Sequence, residues 1–254
     1  MKQLVKIFLA ILLFTSCGKS SKLIFEDNFD KKTLNENYWN YDVGNGCPDL
    51  CGWGNNERQI YTKENVKVVN GNLIITATKK GSLYQSGKIH TKKKVEFQYG
   101  TVEVRAKLPI GYGLWPAIWM LGNDIDTNTW PACGEIDIME YVGKKPNTIH
   151  TSLHTPASYG NTINTKKTIN NQIEEGFHTY KTIWSKESIA FYIDNQKVYT
   201  FSPDEKNEKT WPFNKPFYLI LNLAIGGNFG GPKVDDTIFP QEFIIDYVKA
   251  YNNN

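Results

Sequence analysis

The sequence predicts an all-β protein, an antiparallel sandwich built as one large domain. Three observations carry that expectation. Apolar residues recur at every second position in short runs, as in GTVEVRAKL, where Val102, Val104 and Ala106 alternate with Glu103, Arg105 and Lys107. Turn residues interrupt these runs at short intervals. Beyond the N-terminal leader, no stretch of useful length carries an apolar stripe of helical period. With 254 residues, 40% of them hydrophobic and 13% aromatic, the chain has the material for a sizeable core.

In chain order, MKQLVKIFLAILLFTSC sets Lys2 and Lys6 ahead of an apolar run from Ile7 to Phe14. That run is too short to span a membrane as a mature helix and is built like an export signal. Its end at a cysteine resembles a bacterial lipobox. Residues 1–16 are therefore expected to be removed, and Cys17 to become a lipidated, membrane-attached first residue at the cell surface or in the periplasm. Simple secretion is the alternative, because Phe14 stands where leucine is usual. Residues 17–22 read as a short tether and 23–252 as one domain, since no linker rich in Pro, Ser or Gly and no internal repeat divides them. Loss of Lys2 and Lys6 takes the formal charge from +3 to +1, and Arg58 and Arg105 are the only guanidinium groups. That composition excludes a nucleic-acid partner.

Cys47 and Cys51 in CPDLC are expected to close a small disulfide loop, as an exported protein permits, leaving Cys133 odd. The spacing offers zinc too few ligands. His150 and His154, four apart in TIHTSLH, lie roughly 13 Å from each other on an extended strand, too far to share an ion. VKVVNGNLIITAT reads as two strands about an Asn70-Gly71 turn, because Asn-Gly readily takes the positive φ angles of a tight hairpin. FHTYKTIW, SIAFYID and KVYTF follow, with Asp194-Asn195 as a turn, and FYLILNLAI and FIIDYVKAY close the chain.

One strand carries unusual chemistry. GEIDIMEY places Glu135, Asp137 and Glu140 within six residues, and in a regular strand Glu140 falls on the face opposite the other two. A β-bulge at Ile138 and Met139 resets the alternation and turns all three acids the same way. Carboxylates so placed repel, so that some hold a proton near neutral pH. A protonated and an ionised carboxyl then divide the work of breaking a glycosidic bond. The hexapeptide alone serves equally as a solvated acidic face or a calcium-binding edge. Its neighbourhood favours sugar chemistry: GLWPAIWMLG and WPACGEID bring Trp115, Trp119 and Trp130 close, and GWGNNERQ adds Trp53 and amide side chains. Indole faces suit the C–H faces of sugars, and amides, Arg and carboxylates suit their hydroxyls.

At these residues the chain resembles glycoside hydrolase family 16, in particular its bacterial laminarinases, which are endo-β-1,3-glucanases. GWGNNERQIYT, YGTVEVRAKLP, GLWPAIWMLG, WPACGEIDIMEYVG, FYLILNLAIGG and IDYVKAY carry the resemblance through most of the chain. It implies a concanavalin A-like β-jelly-roll with a concave cleft and a retaining mechanism that needs no cofactor. It further implies Glu135 as nucleophile, Asp137 as the assisting carboxylate and Glu140 as general acid/base. Asn55, Arg58, Arg105, Trp115, Trp119, Trp130, His154 and Asn222 are implied as substrate contacts, and Asn28, Gly71 and Asp246 as ligands of a structural calcium. The expected partner is a laminarin-like β-glucan, and the expected state a monomer. The alternatives are a mixed-linkage β-1,3-1,4-glucanase, a red-algal galactan hydrolase and a non-catalytic glycan-binding module.

Overall fold

A computed structural model describes residues 21–253, so the expected export segment and Cys17 lie outside the described residues. Two sheets, of ten and eight strands, face each other across the core. The first strand, Ser21–Asp27, takes in the last two residues of the expected tether, and the final strand, Gln241–Asn253, pairs with it.

The eight-stranded sheet runs edge to edge as Thr165–Ile169, Thr148–His154, Glu135–Tyr141, Leu114–Gly122, Phe217–Ile225, Lys88–His90 and Asn40–Asp42, with Glu96–Phe97 also paired to Phe217–Ile225. In the ten-stranded sheet the middle strands are His178–Trp184, Gly100–Lys107, Gln241–Asn253 and Asn72–Lys80. Described pairings are antiparallel except Gln59–Tyr61 with Leu83–Ser86, which is parallel. The predicted hairpins form where expected: Asn70 and Gly71 turn at φ 51° and 74°, and Asp194 and Asn195 at 48° and 65°.

Alternation decides which faces meet. Val102, Val104 and Ala106 of one sheet and Leu219, Leu221 and Leu223 of the other are buried in one core cluster. Phe217–Ile225 is buried along its whole length, because its second face lies under the loops and indoles of the cleft.

The same alternation turns Arg105 outward on the ten-stranded sheet, away from the acids. There it donates to Asp246 and lies over the Phe177 ring, so the expectation that Arg105 touches sugar is corrected. The calcium set is affected too. Asp246 has its carboxylate on a guanidinium, and Asn28 hydrogen-bonds Glu26. Cys47 and Cys51 form the expected disulfide. Cys133 is free and buried, with its thiol pushed up to about 12 by burial and by the negative Glu135.

Candidate active site

Strand register explains how three acids come to share a face. On Leu114–Gly122, Leu121 lies opposite Glu135 and Trp119 opposite Asp137. The next residue, Ile118, lies opposite Met139, and Ala117 opposite Glu140. Ile138 is therefore the extra residue of a bulge, and the pairing with Thr148–His154 shifts at the same point. Ile136, Ile138 and Met139 are buried, while Glu135, Asp137 and Glu140 all line the outer face of the eight-stranded sheet. Gly134, at φ 78°, makes the turn from the preceding loop into the strand.

Neighbouring strands complete the floor. His154 pairs with Glu135 and His150 with Glu140, so the two histidines stand at opposite ends of the acid row. His154 Nε2 lies 3.1 Å from Asp137 and 3.5 Å from Glu135. The backbone N–H of Gly160 donates to His154 Nδ1 at 3.1 Å, which leaves the ring proton on Nε2, pointing at the two acids. Glu135, Asp137 and His154 offer ligand atoms within 4.8 Å of one another. A protonated Nε2 cannot ligate, so the cluster is a proton-sharing group and not a metal centre.

Electrostatics divides these acids from ordinary carboxylates. Burial, reinforced by the negative Asp137, pushes Glu135 up to about 8, against the pull of His154. Asp137 is also raised by burial. Glu140 is held well above the usual carboxylate range by burial and then by the charges of Asp137 and Glu135, although Trp115 Nε1 donates to it at 3.1 Å. Near neutral pH the row therefore keeps protons, as unequal carboxyls require.

Of the expected sugar contacts, Trp115 and Trp119 share the acid face and Trp130, 40% exposed, stands beside His154 at 5.8 Å between ring centres. The loop carrying Trp130 is fastened by Lys93 on Asp126 at 3.0 Å and Lys215 on Asp124 at 2.6 Å. Asn222 faces the cleft but is already engaged: Trp119 Nε1 donates to its oxygen at 2.8 Å and its amide donates to Tyr61 at 3.0 Å. Asn55 donates to Glu57 at 3.3 Å, and Arg58 turns to the carbonyl of Pro232. Both are thus engaged within the protein, Arg58 with its side chain still exposed.

Other residues of the cleft lay beyond the sequence reading. Glu57 receives Tyr61 at 3.1 Å and Gln59 at 2.6 Å, which completes a relay from Trp119 through Asn222 to a buried carboxylate. Burial raises Glu57, against these donors and Lys88. Lys88 lies 4.2 Å from the Trp53 ring and 3.1 Å from Asp42. Although burial opposes it, His90 and Lys88 hold Asp42 down to about 2. Phe229, on the short helix Gly227–Gly230, packs edge-on against Trp115 at 5.4 Å and His150 at 4.9 Å. Lys88 reaches the cleft through strand pairing to Asn222, which the sequence does not display, and Phe229 leaves no signal because it stands in a glycine-rich turn.

An open sandwich face that sets unequal carboxyls among exposed indoles defines a carbohydrate-active protein. The chain belongs to glycosyl hydrolases family 16, whose sequence profile matches residues 54–248. A β-glucanase of Rhodothermus marinus is 39% identical over an alignment of 248 residues that covers 91% of this chain and 85% of that one. The crystal structure of a laminarinase from Flavobacterium sp. UMI-01 superposes with a TM-score of 0.90 at 59% identity, covering 91% of this chain and 100% of that chain. A mutant of a non-specific endo-β-1,3(4)-glucanase of the family, with 1,3-β-D-cellobiosyl-glucose at its active site, superposes at 0.83 with 40% identity over 91% and 95% of the two chains.

Proposed function

We propose that this protein is an endo-acting, retaining hydrolase of β-1,3-glucan. The observation that carries the reading is the bulge at Ile138, which brings Glu140 to the face of Glu135 and Asp137 in a family member sharing 59% identity with a laminarinase. Ionised Glu135 attacks the anomeric carbon while protonated Glu140 gives its proton to the departing oxygen, forming a glycosyl ester on Glu135. Glu140, now ionised, takes a proton from water. That water attacks the same carbon, breaks the ester and returns both carboxyls to their starting states. Asp137 takes over the proton that Glu135 gives up as the sugar arrives, and the Nε2 proton of His154 supports the charge left on Glu135. Trp115 aims Glu140, and Trp119 and Trp130 offer stacking faces.

Incubation with laminarin, lichenan, agarose and carrageenan tests the reading: new reducing ends are expected first from laminarin. Binding without cleavage of any of the four would make the protein a glycan-binding module. Cleavage of lichenan alongside laminarin would place it with the 1,3(4) type of its relative. Glu135→Ala is expected to cut turnover by about 10⁴-fold or more while leaving the fold and glucan binding in place. Near-normal turnover in that variant would remove Glu135 as nucleophile. Export with lipidation at Cys17 is proposed from the leader sequence, and mass spectrometry of the mature N-terminus reads it directly: an unmodified Cys17 would exclude the anchor.

A further inference from the structure

We propose that the half of the cleft built on Thr148–His154 and Thr165–Ile169 accepts an anionic substituent of the glycan, a carboxylate or a sulfate ester on a sugar flanking the cleaved bond. The inference rests on the reading of this face as a glycan cleft and adds to it a charged subclass of substrate. Glu140 lies opposite His150, and His150 opposite Lys167, so the three share the cleft face. Lys167 is then two strand spacings, roughly 10 Å, from Glu140, within reach of a neighbouring sugar ring.

A second cation approaches from the side. The Lys144 ammonium lies 5.7 Å from the Phe229 ring, whose edge-on contacts with His150 and Trp115 make one continuous wall up to Glu140. Lys145 follows it in the same turn. None of Lys144, Lys145 and Lys167 takes part in any of the ion pairs among the described residues. Glu174, the carboxylate beside Asn147, instead receives Tyr141 at 2.8 Å and the Asn147 N–H at 2.7 Å.

The other half of the cleft is arranged differently. There Lys88 pairs with Asp42, and Lys92 and Lys93 share Asp126, so each ammonium already has a carboxylate partner within the protein. Burial first, and then the charges of Lys167, Lys145 and Lys144, hold His150 down to about 4, so the imidazole stays neutral. The carboxyl facing them, Glu140, keeps its proton. A neutral glucan offers unmatched ammonium groups only hydroxyls, which water supplies as well. An anionic group displaces that water with a charge-assisted bond.

The test compares neutral laminari-oligosaccharides with the same oligosaccharides carrying C6 carboxylates or sulfate esters, measured by calorimetric titration and by turnover. At low salt the charged ligands are expected to bind about tenfold more tightly than the neutral one, and the advantage to fade as salt rises. Lys144→Gln with Lys167→Gln is expected to remove most of that advantage. Sulfate preferred over carboxylate, or the reverse, identifies the group. Equal affinity for charged and neutral ligands, or an advantage that survives the double substitution, overturns the proposal. Titration reads the lysines whether or not the chain turns over laminarin. Failure of the glucanase reading appears separately, as absent cleavage of the neutral substrate.

Discussion

Asp137 is 2% exposed, between two glutamates that each feel its charge and against a histidine whose proton points toward it. Its carboxylate raises both Glu135 and Glu140, so replacing it with a neutral amide relieves both. In Asp137→Asn the acid and alkaline limbs of the kcat/KM profile are expected to move toward lower pH together, with kcat reduced at least about tenfold as the proton-sharing partner is lost. Limbs that stay in place would show that burial alone sets these acids. Stability gives an independent reading of the same charge. A carboxyl raised by folding binds its proton more tightly in the native state than in the unfolded chain. Its contribution is therefore favourable below the unfolded carboxylate range and is lost as pH climbs toward the folded value. Asp137→Asn is accordingly expected to melt higher than the parent above pH 7, by roughly 2–4 °C for about 1 kcal/mol in a domain of this size.

At the level of elements, the Glu135–Tyr141 strand holds one residue more than its neighbours allow, and the extra residue is what carries Glu140 to the cleft. Its necessity was legible in the sequence. Acids at positions one, three and six of a strand cannot share a face without a bulge, and the tryptophans nearby supplied a reason for them to do so. Deletion of Ile138 sharpens the point. The remaining acids would then fall at strict alternate positions, still on one face but with a straighter strand between them. Turnover is expected to fall but persist, and stability to drop by about 2–4 kcal/mol, since a buried isoleucine is lost. A folded deletion variant with no turnover at all would mean that the bend itself, and not merely the shared face, sets the working geometry. Circular dichroism melts together with reducing-end assays separate the two outcomes.

Across the whole molecule, alternation told which residues share a strand face but not which sheet a strand would join. Arg105 shows the consequence. Its strand has the period of a cleft-lining segment yet enters the middle of the opposite sheet, so the guanidinium meets Asp246 instead of sugar. The segment Glu57–Tyr61 shows the converse, since Gln59 and Tyr61 both donate to Glu57 and tie the segment together as a brace beside the cleft. Only the assembled fold reveals that Tyr61, far from Trp119 in sequence, governs that platform: Trp119 donates to Asn222, Asn222 to Tyr61 and Tyr61 to Glu57, all in one direction. Tyr61→Phe removes one oxygen from this chain and leaves the Asn222 amide and the Glu57 carboxylate each a partner short, a loss of about 1–3 kcal/mol in stability. If the relay serves to hold the indole, KM for laminarin is expected to rise several-fold with kcat nearly unchanged, because a stacking platform binds substrate and transition state alike. The quenching of tryptophan fluorescence by added oligosaccharide should weaken in parallel. A fall in kcat at constant KM would instead tie the relay to the acids, and unchanged kinetics beside a lowered melting temperature would reduce it to a brace of the fold.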